Sequence, residues 1–381
     1  MRSSERSLRV LVAGGGVAAA ELMLALRSMA EDRVDIEVVA PSAELPFRPA
    51  ATATPFGTGA VQVFDLETIA ADAGATLRRD TVEAVAPSAH RVRLASGGST
   101  TYDALVLAVG ARARAGVPGA STFRDQRDAH LVTALLDELE LTSAMRVVFA
   151  APSGVSWTLP LYELALLTST ELDRRGLTTE VVILTPEASP LEVFGPPVSS
   201  FVASMLSERG IRKLHGSAQS VERGRVTLSD GESLRADGVV AVPRLVGRRL
   251  SGVPADWNGF VQTDDRGRVV ELDDVYAAGD VTQFPVKQGG LATQQADVVA
   301  AVLAARGGAD VEAPSGRSVL RARLLGAAEP CYLRAELDGA GRPVRTTEAP
   351  AVSDEADWWP AAKLFGRHLS PWMAARGLSA P

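Results

Sequence analysis

The residues whose type and spacing say most about chemistry are Gly14-Gly15-Gly16-Val17-Ala18-Ala19, which close a short apolar strand and open a helix within Leu8 to Leu26. Gly14 allows the tight turn, Gly16 lets backbone approach a pyrophosphate, and Ala19 permits close packing of helix on strand. The helix start offers unpaired N–H donors. A pyrophosphate-bearing cofactor is the first expectation. Other chemistries are limited by what the chain lacks. Its one cysteine, Cys331, excludes an intramolecular disulfide framework and a Cys-x-x-Cys redox pair. His90, His130, His215 and His368 are scattered without metal-ligand spacing, so each reads as structural or surface and no metal site is expected. A net charge of −7 argues against a general nucleic-acid role, and short basic runs such as Arg244 to Arg249 read as solvated loop.

The elements that must position these groups occur twice. Strand Arg9 to Ala13, the glycine turn, helix Glu21 to Met29 and strand Ile36 to Ala40 form one unit. Strand Arg146 to Ala150, a longer loop, helix Tyr162 to Arg174 and strand Glu180 to Thr185 form the second. Strands alternating with helices imply an α/β fold with parallel sheets built from βαβ units. After residue 312, the alternating runs Val319 to Leu325 and Pro330 to Leu337 predict a hairpin. The polar start, Met1 to Arg9, has no signal-peptide core, and no apolar run approaches a spanning helix, so a cytoplasmic location is expected.

Two further segments carry a family resemblance. Val275-Tyr276-Ala277-Ala278-Gly279-Asp280-Val281 is a short strand ending in Gly-Asp, followed by a helix-like run, Leu291 to Ala305. Tyr102-Asp103-Ala104-Leu105-Val106-Leu107-Ala108-Val109-Gly110 is another apolar strand ending in glycine. Together with the glycine turn, these resemble flavoproteins of the pyridine nucleotide-disulfide oxidoreductase superfamily. The resemblance implies FAD and two Rossmann-like, doubly wound domains, one inserted in the other. The FAD domain would take residues 1–120 and 245–312, an NAD(P)-binding-like domain 121–244, and a small C-terminal domain 313–381. It also implies FAD contacts from Gly14, Gly15, Gly16, Val17, Ala18 and Ala19, from Ala40 and Pro41 at the end of the second strand, and from Ala108, Gly110 and Gly279. Asp280 would accept a ribityl hydroxyl, and Gly290 and Leu291 would face the flavin pyrimidine oxygen. Arg48, within Phe47-Arg48-Pro49, would serve the pyrophosphate or the mouth of the site.

The second glycine loop departs from the family. Ala150-Ala151-Pro152-Ser153-Gly154-Val155-Ser156-Trp157-Thr158-Leu159-Pro160-Leu161-Tyr162-Glu163 keeps only Gly154, so the close pyrophosphate approach of an NAD(P)H site is not encoded in the usual way. Neither second strand ends in the ribose-binding carboxylate: one ends at Ala40, the other runs Thr185-Pro186-Glu187. The loop looks like that of sulfide:quinone oxidoreductases and flavocytochrome c sulfide dehydrogenases, through Ser156, Pro160, Tyr162 and Glu163. Trp157 stands where their catalytic cysteine would be, and tryptophan cannot be the nucleophile. Cys331 reads as a buried apolar residue.

Phe284 to Ala296 resembles the flavin-facing helix start of type II NADH:quinone dehydrogenases. On that likeness Lys287 would add charge near the flavin. One of Gln294 and Gln295 would touch the site, since adjacent helical residues diverge; Gln294 is the candidate. Glu163 would hold a proton if desolvated, or stabilise its helix start. The aromatic and basic end, Trp358 to Arg367 with Trp372 and Met373, reads either as a membrane-interface helix or as a packing element. Gly366 and Pro371 interrupt any helix there, which favours packing. The expected function is an FAD-dependent oxidoreductase passing electrons from a reduced small-molecule donor to a quinone-like or other small acceptor. NAD(P)H is one candidate donor, and an organic or sulfur-containing compound beside Trp157 is another. Rival readings are an FAD-binding sensor with little turnover and a reductase docking a protein through Trp358-Trp359.

Overall fold

A computed structural model describes residues 7–142, 146–312, 314, 317–345 and 349–377. Part of the polar start expected at Met1 to Arg9 therefore lies outside the described residues. The first unit runs β1 (Leu8–Ala13), α1 (Val17–Ala30), β2 (Val34–Ala40), β3 (Thr76–Arg79) and β4 (Ala104–Leu107). Strand β5 (Ala111–Arg114) leads out of it. A second unit follows, with β6 (Ser121–Thr122), β7 (Arg146–Ala150), α2 (Leu159–Arg175), β8 (Glu180–Thr185), β9 (Arg212–His215) and β10 (Gly238–Ala241). The chain then returns along β11 (Arg244–Gly247) to β12 (Val275–Ala277) and α3 (Gly289–Arg306).

Each unit closes a five-stranded parallel sheet, in the orders β12-β4-β1-β2-β3 and β6-β10-β7-β8-β9. Parallel strands covered on both faces read as near-continuous apolar runs, and β4 and β12 are buried throughout. Strands β5 and β11 pair antiparallel, Ala111 opposite Gly247, so the paths out of and back into the first sheet lie side by side. In the C-terminal part, β13 (Ser318–Arg323) pairs antiparallel with β14 (Tyr332–Leu337), the hairpin that the alternating pattern predicts.

Helix ends differ modestly from the sequence expectation. The first helix begins at Val17 rather than Glu21, because Gly16, in extended conformation, is already its N-cap. The second helix starts at Leu159 because proline is well tolerated in a first helical turn. The segment 358–367 is not helical. It runs over the first unit as an irregular strap of bends and ends in the short helix α4 (Leu369–Ala374). Trp358 is buried and donates its indole N–H to Ala362 O at 2.9 Å, whereas Trp359 is 70 % exposed. Trp358, Ala362 and Leu364 are buried as a packing element would be, whereas Trp359 stands at the surface. Among the described residues, no helix is long and apolar enough to cross a membrane.

Candidate functional site

The glycine turn is built by contacts that a side chain would prevent. Gly14 has φ +120°, and a Cβ there would lie 2.2 Å from Ala108 O. A Cβ on Gly15 would lie 2.6 Å from Leu66 Cδ2 and 2.9 Å from Ala40 Cβ, so Ala40 and Ala108 set the walls of the turn. Gly16 is different: a Cβ there would meet nothing within 4 Å. Its surroundings are open, and no side chain caps the first N–H groups of α1. Ala18 and Ala19 are buried in the first core, and Ala18 Cβ with Ala292 Cβ would stand 3.2 and 3.3 Å from a Cβ on Gly279. The small residues thus bring the Gly279 turn down onto the starts of α1 and α3. Val17 is half-buried beside Gly289, Pro41 is exposed, and Gly110 has φ +66° with open space around it.

Asp280 follows that turn. It lies deep in the protein, yet keeps some water-accessible surface. Burial holds its pKa above the ordinary carboxylate value, while the charges of Lys287 and Arg48 pull it down. No hydrogen bond from a described residue reaches it, which suits a carboxylate that accepts a ligand hydroxyl. Lys287 donates to Thr282 O and lies 3.9 Å from the centre of the Phe260 ring. Burial lowers its pKa to about 8 against the opposing pull of Asp280 and Asp256. Arg48 is largely exposed, 3.9 Å from Asp125, whose carboxylate is already held by Arg127 at 2.6 Å. Burial together with the charges of Arg112 and Arg248's other neighbour, Arg48, lowers the Arg248 pKa, so three guanidinium groups share one region. Arg112 and Arg248 carry no sequence motif and emerge only from this convergence.

At the start of α3 the N–H of Leu291 is donated to the side chain of its own N-cap, Gln288, at 2.9 Å. Gly290 faces that side chain and the carbonyl of Phe365. Gln294 is committed elsewhere: it exchanges hydrogen bonds of 2.8 and 2.9 Å with the backbone of Val319 and so ties α3 to β13. Its neighbour Gln295 accepts from Gly279 N at 2.7 Å and holds the Gly279-Asp280 turn. The helical divergence of the pair is as expected, but the residue turned toward the site is Gln295.

Glu163 is fully buried and its oxygens are all engaged. It accepts from Lys363 Nζ at 2.5 Å, Thr52 Oγ1 at 2.8 Å and Leu325 N at 3.1 Å. Lys363, on the strap, also donates to Pro49 O at 2.7 Å. One carboxylate therefore pins three separate stretches of chain beside Arg48. Lys363 was not picked out in the sequence because nothing local marks a lysine 200 residues away as the partner of Glu163.

In the second unit, Trp157 is partly buried with its ring centre 6.0 Å from that of Phe194, and Ser156 Oγ donates to Pro285 O. Gly154 keeps φ +80°. Glu187, just beyond β8, is turned inward: its carboxylate accepts from Thr158 Oγ1 at 2.8 Å, Tyr162 Oη at 2.9 Å and Thr185 Oγ1 at 3.1 Å. Burial raises its pKa against those bonds. The acid nearest the strand end is thus occupied by the protein itself. Cys331 is buried, and burial pushes its thiol up to about 11, the reverse of a reactive thiolate.

These features fit FAD: an open helix start at Gly16, a turn closed by small residues, and a carboxylate at Asp280 to which no described residue donates. The fold is shared with the sulfide:quinone oxidoreductase of the hyperthermophilic bacterium Aquifex aeolicus, with a TM-score of 0.77 and 22% identity over 87% of this chain and 84% of that one. It is shared too with a ferredoxin reductase for the CYP199A2 system of Rhodopseudomonas palustris, at a TM-score of 0.66 and 23% identity over 86% and 82% of the two chains. In sequence, the NADH dehydrogenase-like protein Rv1812c of Mycobacterium tuberculosis is 29% identical over 221 residues, 52% of this chain and 53% of that protein. The chain therefore spans about half the length of the curated relatives it matches. The model of the pyridine nucleotide-disulphide oxidoreductase family matches residues 8–302, and the chain belongs to that family of FAD-dependent oxidoreductases.

Proposed function

We propose that this flavoprotein passes electrons from a reduced small-molecule donor to a quinone-like or other small acceptor, with no protein dithiol taking part. The observation that carries the reading is the pairing of an FAD cradle with a second unit whose Glu187 is turned inward and whose loop holds Trp157 and prolines. FAD would occupy residues 1–120 and 245–312, with 121–244 as the donor-side domain and 313–381 as the C-terminal part. When bound, FAD supplies the two-electron and one-electron chemistry.

This geometry supports the following roles for the protein's own groups. The uncapped N–H groups at Gly16 to Ala18 would receive the pyrophosphate, and the Arg48, Arg112 and Arg248 guanidinium groups would add positive field on the Asp280 side of the site. Asp280 would accept a ribityl hydroxyl, and Gln295 fixes the turn that carries it. Lys287 places a positive charge beside Asp280 below about pH 8, which favours any negative charge growing in the site. Glu163 with Lys363 acts on position alone, holding the Pro49 to Thr52 stretch next to Arg48.

Ribose recognition usually draws on a free carboxylate at the end of the second strand. Glu187 is spent internally, which supports an organic or sulfur-containing donor over NAD(P)H. Anaerobic stopped-flow absorbance of FAD-replete protein, mixed separately with NADH, NADPH and sulfide, tests this. The expected result is slow or absent flavin bleaching by either nicotinamide while dithionite bleaches fully. Rapid bleaching by NADH would overturn the donor assignment and keep the flavoprotein one.

A further inference from the structure

One helical turn along α1 from the glycine turn, three potential ligand groups meet that the electron-transfer reading does not use. Glu21 comes from α1, Asp297 from α3 and His368 from the strap just before α4. One ligand atom from each lies within 4.8 Å of the other two. We propose that these residues form a structural site for one divalent transition ion of the zinc class, clasping the strap to the two helices that flank the flavin site.

Glu21 is fully buried and Asp297 is 8 % exposed, so two carboxylates meet where water cannot screen them. Asp297 Oδ1 and His368 Nε2 are both buried without a hydrogen-bond partner. Unpartnered buried acceptors are costly, and one cation would satisfy both. Burial beside Glu21 pushes the Asp297 carboxyl up to about 9, as expected where negative charge lacks a counter-ion. Burial also lowers the His368 pKa, which keeps the imidazole neutral and able to ligate. Arg367, whose positive charge favours the ionised form of Asp297, is exposed, so its charge is screened by solvent.

The protein has also built the approach. His368 N and Leu369 N both donate to Glu21 at 2.7 Å, fixing its carboxylate as outer hydrogen bonds fix a metal ligand. A Cβ on Gly366 would lie 2.5 Å from Glu21 Oε2, so only glycine lets the strap come this close. The dimensions suit a small ion. A triangle with 4.8 Å sides puts each atom about 2.8 Å from its centre. Drawing in by well under about 1 Å then reaches the 2.0–2.2 Å bonds that zinc makes to carboxylate oxygen and imidazole nitrogen. Two carboxylates and one imidazole favour zinc, manganese or iron over calcium, which takes oxygen alone.

The test uses the FAD-loaded full chain after chelator treatment, titrated with Zn²⁺ and, as a spectroscopic probe, Co²⁺. The expected result is one ion bound per chain, visible cobalt ligand-field absorption and a raised Tm. Asp297→Asn should keep the fold, since its amide can still donate to Glu21, yet lose at least about a hundredfold in ion affinity. His368→Ala should do the same. Failure of both ions to bind or to move Tm would overturn the proposal and leave a proton shared between the two carboxyl groups. Binding of equal strength in Asp297→Asn would place the ion elsewhere and overturn it as well. Neither readout depends on the donor or acceptor of the flavin.

Discussion

Replacing Lys363 by methionine isolates the buried pair that fastens the strap. The Lys363 and Glu163 side chains are 5 % and 0 % exposed, and the ammonium also satisfies Pro49 O. Removing it leaves an uncompensated carboxylate in the interior, a change that costs about 3–5 kcal/mol. Unfolding entropy of about 2.1 cal/mol/K per residue gives roughly 0.8 kcal/mol/K for the whole chain, so Tm should fall by about 4–6 °C. Thermal unfolding of FAD-replete protein, followed by circular dichroism, measures it. Glu163→Gln in the same background should recover much of the loss, because the neutral amide leaves no stranded charge, and a double-mutant cycle reads the coupling. Flavin bleaching by dithionite should proceed in every variant, since the pair positions backbone and touches no reacting atom. A Tm within about 1 °C of the parent for Lys363→Met would refute the reasoning, as would single-variant effects that simply add.

Other expectations follow from the same geometry. Gly14→Ala would force a Cβ against Ala108 O at a positive φ, so purified protein should lose FAD, read as the flavin-to-protein absorbance ratio; full occupancy would contradict the turn. Asp280→Ala should weaken FAD binding by roughly tenfold to a hundredfold, as expected for one lost hydrogen bond to a charged acceptor, measured by titrating FAD into apoprotein. Lys287 has a folded pKa of about 8 below its ordinary 10.5, so the folded apoprotein binds fewer protons than the unfolded chain between those values. Its destabilising contribution is full below pH 8 and disappears as pH rises toward 10.5, and urea unfolding should show that upward slope in the parent and lose it in Lys287→Met.

Much of the fold could be read locally. The strands at Arg146 to Ala150 and Glu180 to Thr185 end where expected, and the glycine turn and the Gly279-Asp280 turn stand in the order the family requires. These are short-range signals: apolar runs, a glycine whose conformation no other residue takes, and a break where a helix must begin. Partnership was not legible. Gln294 and Gln295 are equivalent in sequence, and only the packing of α3 against β13 and the Gly279 turn assigns them opposite duties. Glu187, two residues past the strand end, carries no local sign of its partners, and only the fold closes Thr158, Tyr162 and Thr185 around it.

The sequence by itself determined the cofactor class, the absence of a dithiol, and the βαβ order of the two units, because each is written in neighbouring residues or in a count of one residue type. Only the tertiary structure decided which charges are buried and by whom they are met. Lys363 reaches Glu163 across 200 residues, and His368 reaches Glu21 across 347. A buried charge gains its meaning from whatever crosses the core to meet it, and no local pattern encodes a partner that chain folding alone brings within 3 Å.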